Sequence, residues 1–187
     1  MRVLFVENHD SFSWNVVETL PVERSAVVIR LGCEVAADPR AFDGIDAVVV
    51  GPGPTDPFRA GIVDDVHAAA AAGLPLLGIC LGHQALGLAF GARLVRAVPT
   101  HGKTSMAVFL PSRLFPGIAG PHEVMRYHSL ALADVSPPLR VVAVTADGVP
   151  MAIEHESLPL AGLQFHPDSY ATPAGRAMVA AFFAAIR

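Results

Sequence analysis

The chain has 187 residues, of which 52% are hydrophobic and 16% charged, with a formal net charge of −4. That is too apolar for a disordered chain, it offers no basic cluster for nucleic acid, and no apolar run approaches the roughly 18 residues of a membrane-spanning helix. Two cysteines, Cys33 and Cys80, make no disulfide framework, and the length fits one domain over residues 1–187 with a core of its own.

Residues 2–7 form a short apolar run that ends at Asn8-His9-Asp10-Ser11. The pattern predicts a buried strand, then a helix capped by Asp10 or Ser11. Phe12, Val16, Val17 and Leu20 recur at helical spacing, and Pro21 stops the helix. The strand pattern begins at once, so no signal peptide is expected and a cytoplasmic location is. Residues 26–29 read as a second strand. Residues 32–44 are irregular, with a short helical piece expected there; Cys33, within this stretch, reads as a structural thiol.

Residues 45–50 form a third strand, apolar at its end as in a parallel sheet covered on both faces. It enters Gly51-Pro-Gly-Pro-Thr-Asp-Pro57. Such a loop is rigid, and the carboxyl ends of strands are where open α/β sheets bind ligands; a plain rigid connection is the alternative. A helix over about 61–72 follows, with Ile62, Val63, Val66 and Ala69 or Ala70 inward.

Leu76-Leu-Gly-Ile-Cys-Leu-Gly-His-Gln84 comes next. It reads as a strand, a sharp turn and a helix, and Gly-x-Cys-x-Gly has the form of a nucleophile elbow. A turn that lifts a nucleophile off a strand crowds its neighbours, which is the reason for the glycines. A group placed there sits at a helix N-terminus, whose partial positive charge favours an anion. Backbone N–H groups at the turn can hold an oxyanion. The alternative is a tight turn with an inert, buried thiol. Alternating strand and helix up to this point means a parallel, doubly wound sheet.

After Gly91 short β-like runs follow one another at 93–98, 106–110, 123–127, 141–145, 151–154 and 160–165. They predict an added antiparallel portion in one mixed sheet. Residues 173–186 form a last helix, with Met178, Val179, Phe182, Phe183 and Ile186 on its apolar face. Gln164-Phe-His-Pro-Asp168 lies just beyond the last strand. In extended chain, residues two apart point the same way, so Asp168 can hold one nitrogen of His166 while the other faces the thiol. A surface-loop histidine is the alternative. His101-Gly-Lys-Thr-Ser105 and Arg126-Tyr-His-Ser-Leu130 are polar clusters in apolar surroundings, each otherwise a solvated turn. The eight histidines show no paired spacing on a helix face, so neither a metal site nor another cofactor is expected.

Taken together, Asn8-His-Asp-Ser-Phe-Ser-Trp-Asn15, Gly51-Pro-Gly-Pro54, the Cys80 elbow, His101–Ser105, Arg126–Leu130 and Gln164–Ser169 resemble the class I, triad-type glutamine amidotransferases, in family order and over nearly the whole chain. The Asp-Ser-Phe start, the His-Gly-Lys stretch and Arg-Tyr-His-Ser-Leu look like the small subunits of anthranilate or aminodeoxychorismate synthase. The resemblance implies a flavodoxin-like α/β fold and a glutaminase that feeds ammonia to a chorismate-using large subunit. It implies Cys80 as nucleophile, His166 as base and Asp168 as orienting acid. It further implies Gly53 and Leu81 as backbone oxyanion donors, Gln84, Ser129 and Leu130 as contacts to L-glutamine, and a partner-facing loop carrying His101 and Lys103. Two positions depart from the family. Asp168 stands where glutamate is usual, one methylene shorter, and Thr55 stands where glycine is frequent. An amidotransferase for another acceptor, or a module that keeps the fold without turnover, are the rival readings.

Overall fold

The computed structural model describes residues 1–32 and 34–187; the reading of Cys33 therefore lies outside the described residues. In chain order the elements are β1 (Val3–Glu7), α1 (Ser13–Val17), β2 (Val27–Leu31), β3 (Ala47–Val50), α2 (Pro57–Ala60), α3 (Ile62–Ala71), β4 (Leu76–Ile79) and α4 (Leu81–Ala89). They continue with β5 (Arg93–Phe109), β6 (Gly120–Ala133), β7 (Leu139–Thr145), β8 (Pro150–His155), β9 (Leu160–Leu163) and α5 (Gly175–Ala185). Among the described residues the strands make one sheet in the order β2-β1-β3-β4-β9-β8-β7-β5-β6. The first five positions are parallel and the rest antiparallel. The doubly wound sheet with an antiparallel addition is the architecture expected from the sequence.

Every residue of β3, β4 and β9 is buried, because helices cover both faces of the parallel part. Alternation sorts the side chains. Val3, Phe5, Val49, Leu77 and Leu163 pack with Val16 of α1 and Met178, Phe182 and Phe183 of α5. Leu4, Val6, Val48, Val50 and Leu76 pack on the other face with Ile62 and Val66 of α3 and Leu86 of α4. Among the described residues, no helix is long and apolar enough to cross a membrane.

Four local expectations need correction. The two runs at 93–98 and 106–110 belong to one strand, β5, because the polar stretch between them pairs with β6. His101 lies opposite Tyr127 and Lys103 opposite Arg126, around two irregularities in register. Both polar clusters are therefore parts of one hairpin, neither a solvated turn nor a loop. The helical piece expected in 32–44 is, among the described residues, a run of turns, with Ala41 N–H on Asp38 carbonyl and Ile45 N–H on Phe42 carbonyl. α2 is a single turn that Asp56 caps by accepting from the N–H groups of Phe58 and Arg59. Phe12 precedes α1 and is 37% exposed; it does not pack in the core.

The β4–α4 connection depends on two bare glycines. A Cβ on Gly82 would lie 2.2 Å from the carbonyl oxygen of Val50, and one on Gly78 would lie 2.4 Å from the backbone of Gly82. α4 can sit on β3 and β4 at this distance only without those methyl groups. Gly82→Ala is expected to cost at least about 2 kcal/mol by overpacking against backbone, read as a lower urea midpoint; an unchanged midpoint would mean that α4 is free to lift off the sheet.

Candidate active site

The order of β2, β1 and β3 puts a topological switch at β1, and a cleft opens where the strands end, as the rule for open α/β sheets requires. Its floor is the elbow after β4. Cys80 has φ 52° and ψ −96°, outside the regions an L-residue favours, and its side chain is buried. Its N–H donates to Leu163 carbonyl at 2.8 Å, and its own carbonyl accepts from Gln84 N–H at 3.1 Å. One bond ties the thiol to β9 and the other to α4.

His166 arrives from the far end of β9. Its N–H donates to Met125 carbonyl at 3.0 Å. The Thr172 hydroxyl donates to His166 carbonyl at 2.8 Å and accepts from Met125 N–H at 3.0 Å. The imidazole lies edge-on to the rings of Phe12 and Tyr127, at 5.6 and 5.2 Å between centroids, and those two rings stack on each other at 5.4 Å. Asp168 Oδ1 is 3.3 Å from His166 Nδ1, and both side chains are 3% exposed. The pair is in contact but off the line of a hydrogen bond, and neither atom has another partner among the described residues. It is not the extended segment expected from the spacing. Ser169 N–H closes a turn on His166 carbonyl at 3.3 Å, and the turn brings the carboxylate back under the ring.

Burial is the largest influence on His166 and pulls its pKa down. Its contacts with Asp168 and Cys80, and their charges, outweigh burial and hold it up at about 10. The histidine is thus a cation beside the sulfur near neutral pH.

The cleft has a volume of about 290 Å³, at the small end of the range for small-molecule sites. Gly53, Leu81, Gln84, Ser129, Leu130 and His101 all border it, as does Thr55. A Cβ on Gly53 would lie 2.5 Å from Leu81 Cδ2 and 2.9 Å from Asn8 Cβ. The proline loop therefore closes directly over the residue after Cys80. Asn8 Nδ2 donates to Gly51 carbonyl at 3.1 Å and locks that loop to the end of β1. Lys103 is exposed on β5 and does not line the cleft.

Gln164 stands out in the sequence only as a flank of His166. It is fully buried, its amide nitrogen 3.7 Å from Cys80 Sγ and its oxygen accepting from Gln84 Nε2 at 3.2 Å. A lone amide at the end of an apolar strand run is the signal that could have found it, since a buried amide needs partners. Phe12 and Tyr127, the aromatic wall, stand in the sequence only as members of the Asp-Ser-Phe and Arg-Tyr-His-Ser-Leu stretches, with nothing in the pattern to bring them together.

Residues 4–186 match the family model for class I glutamine amidotransferases. The chain belongs to that family. It is 46% identical to anthranilate synthase component 2 of Mycobacterium tuberculosis, over 96% of this chain and 80% of the relative. It is 44% identical to an aminodeoxychorismate synthase of Streptomyces griseus, over 97% of this chain and 26% of the relative. A solved structure of a GMP synthase-type protein from Thermoplasma acidophilum has a TM-score of 0.87 at 21% identity, covering 100% of this chain and 94% of that one. At that identity the likeness concerns the fold.

This amidotransferase also buries two histidines in neutral form. Burial first, then the charge of His128, holds His83 down at about 3 despite a nearby Gly162 backbone group. Burial, then the Arg126 guanidinium, holds His128 at about 4. His155 is lowered too, by burial and Arg113. As pH falls below 6.5 the unfolded chain takes up protons that these folded sites refuse, so stability falls by about 1.4 kcal/mol per pH unit for each fully shifted histidine. His166, whose pKa is raised, contributes stability that is complete below 6.5 and is lost only as pH rises through about 10. Denaturant midpoints should therefore drop between pH 6.5 and about 5, before the carboxylates titrate. A flat profile over that window would show that the buried rings accept protons in the folded chain.

Proposed function

We propose that this chain is the glutaminase subunit of a chorismate-using synthase, of the anthranilate or aminodeoxychorismate type, and that it hydrolyses L-glutamine and hands the ammonia to its large subunit. The observation that carries this reading is the meeting of Cys80 and His166, from the ends of two adjacent strands, beside a cleft of amino-acid size. The relatives named anthranilate synthase component 2 support the assignment of a chorismate-using partner.

The chemistry follows from the charges. Cys80 thiolate attacks the side-chain amide carbon of glutamine. The oxygen, now anionic, takes hydrogen bonds from the N–H groups of Gly53 and Leu81, which need no reorganisation at that moment. His166, already protonated, gives its proton to the amide nitrogen, the C–N bond breaks and ammonia leaves. A γ-glutamyl thioester remains on Cys80. Neutral His166 then takes a proton from water, hydroxide adds to the thioester carbon, and collapse releases glutamate and the thiolate. Asp168 holds the imidazolium by charge across 3.3 Å. Gln84, Ser129 and Leu130 hold the amino-acid end of the substrate. His101 and Lys103, exposed on the β5–β6 hairpin, face the large subunit. The side chains and one water supply every proton and nucleophile in this sequence, so it calls for no cofactor.

The off-axis Asp168 favours a second reading, a module that has kept the fold and lost turnover. A glutamate-release assay on the complex with its co-purified large subunit separates the two. Cys80→Ser is expected to lower glutamine-dependent synthesis by about 10⁴-fold or more, while synthesis from free ammonia persists. Joint loss of both would refute the division of labour between the subunits. Asp168→Glu adds reach toward Nδ1 and should keep or raise the glutaminase rate. A fall of about tenfold or more would show that the turn is built around the shorter acid.

A further inference from the structure

From His128, which itself borders the cleft, a chain of polar groups runs behind the Ser129–Leu130 wall, and the chemistry above assigns no role to its Arg126 and His128. Arg126 is a buried cation, 3% exposed. Its Nη1 donates to Ser105 Oγ and to Asp147 Oδ2, each at 3.1 Å, and its Nε donates to His128 Nε2 at 3.1 Å. A guanidinium only donates. His128 Nε2 must therefore be the bare nitrogen, and the ring proton must sit on Nδ1. That proton reaches Leu130 carbonyl at 2.9 Å. The same carbonyl accepts from Gln84 Nε2 at 3.1 Å, so both of its lone pairs are spent behind the wall. Gln84 continues through Gln164 to Cys80 Sγ. The wall needs such support. Register between β5 and β6 is irregular from Arg96 to Thr100, opposite Leu130 and His128, so Ser129 has no regular ladder partner to fix it.

We propose that Arg126 and His128 are positioning residues for glutamine: acting through the Leu130 carbonyl, they set the depth and orientation of the Ser129–Leu130 wall against which the amino-acid end of the substrate is held. The inference rests on the glutaminase reading and deepens it. The pair touches neither the reacting carbon nor the thiol. Its contribution is to substrate placement, so its loss weakens binding more than turnover. Neutral His128 suits the task, because burial and the neighbouring guanidinium both oppose a second ring proton, and a proton on Nε2 would face the guanidinium in place of the lone pair. Asp147, half exposed in the turn between β7 and β8, and Ser105 hold the far end of the guanidinium.

The test compares two electrophiles on Cys80, followed by mass spectrometry. One is 6-diazo-5-oxo-L-norleucine, which has the shape of glutamine and needs the wall; the other is iodoacetamide, which does not. Arg126→Lys keeps the charge but loses the Nε donor, and His128→Gln keeps a polar side chain but loses the ring. Each is expected to slow labelling by the glutamine-shaped reagent about tenfold at sub-saturating concentration, with iodoacetamide labelling unchanged. In the complex with the large subunit, KM for glutamine should rise by a similar factor while kcat changes less than about twofold. Equal loss with both reagents, or no loss with either, would overturn the proposal. If the wild-type chain labels no faster with the L reagent than with its D enantiomer, it is the glutaminase reading that fails. Should Arg126→Lys not fold, Asp147→Asn releases only the exposed anchor and is expected to move the reagent ratio in the same direction by a smaller factor; an unchanged ratio there would overturn the proposal as well.

Discussion

The seating of α4 on the sheet is the constraint on which the site depends. Gly78 and Gly82 carry no Cβ because the Val50 carbonyl and the backbone of the helix's first turn occupy the space. Cys80, between them, is driven to a positive φ, a conformation that costs on the order of 1–3 kcal/mol in an L-residue. The burial of Leu81, Ala85 and Leu86 offsets that strain, and so does the bond from Cys80 N–H to Leu163. The place of the thiol is thus set by backbone on both sides. A backbone fixed in this way is the preorganisation that the proposed role of Cys80 needs.

The antiparallel addition closes what the parallel sheet leaves open. β6 contributes Tyr127 against the imidazole and Ser129 and Leu130 along the cleft. Its Met125 is bridged to the chain after β9 by Thr172, and also accepts directly from His166 N–H. The histidine is therefore fixed from β6 as firmly as from its own strand. The same strand buries Arg126 and His128, charged and neutral, one behind the other. A buried guanidinium is costly unless its donors are met. Here Ser105, Asp147 and His128 accept from its Nη1 and Nε, and the Nε bond fixes the tautomer of the His128 ring.

Much of this was legible in the sequence, for reasons that are local. The elbow is written in glycine spacing, and the parallel strands in short, wholly apolar runs ended by turn residues. What stayed hidden depends on contacts distant in the chain. The stretch from His101 to Ser105 interrupts the alternation of β5 because much of it is exposed, and only its pairing with Tyr127 and Arg126 makes it strand. For Arg126 and His128 the sequence left a solvated turn open as the alternative, because the partners that allow their burial lie at Ser105 and Asp147, each 21 residues away from Arg126. The single turn of α2 was masked by prolines that also spell a rigid loop. Spacing placed Asp168 beside His166 correctly but by the wrong route, since a turn rather than extended chain joins them.

That turn explains how a shorter acid is accommodated and where its limit lies. Thr172 grips the His166 carbonyl on one side. On the other, α5 begins so close to Pro167 that a Cβ on Gly175 would lie 2.0 Å from the Pro167 carbonyl oxygen. Phe12 and Tyr127 bracket the ring itself. With the backbone clamped on both sides, the segment cannot slide to align the carboxylate, and the reach of residue 168 alone decides how it meets Nδ1. An aspartate there remains within ion-pair distance, buried with the ring, and can stabilise the imidazolium by charge. What it gives up is the directional bond that selects the ring's orientation. In this chain that task passes to the aromatic pair and to the backbone clamp, so orientation comes from packing and charge from the acid.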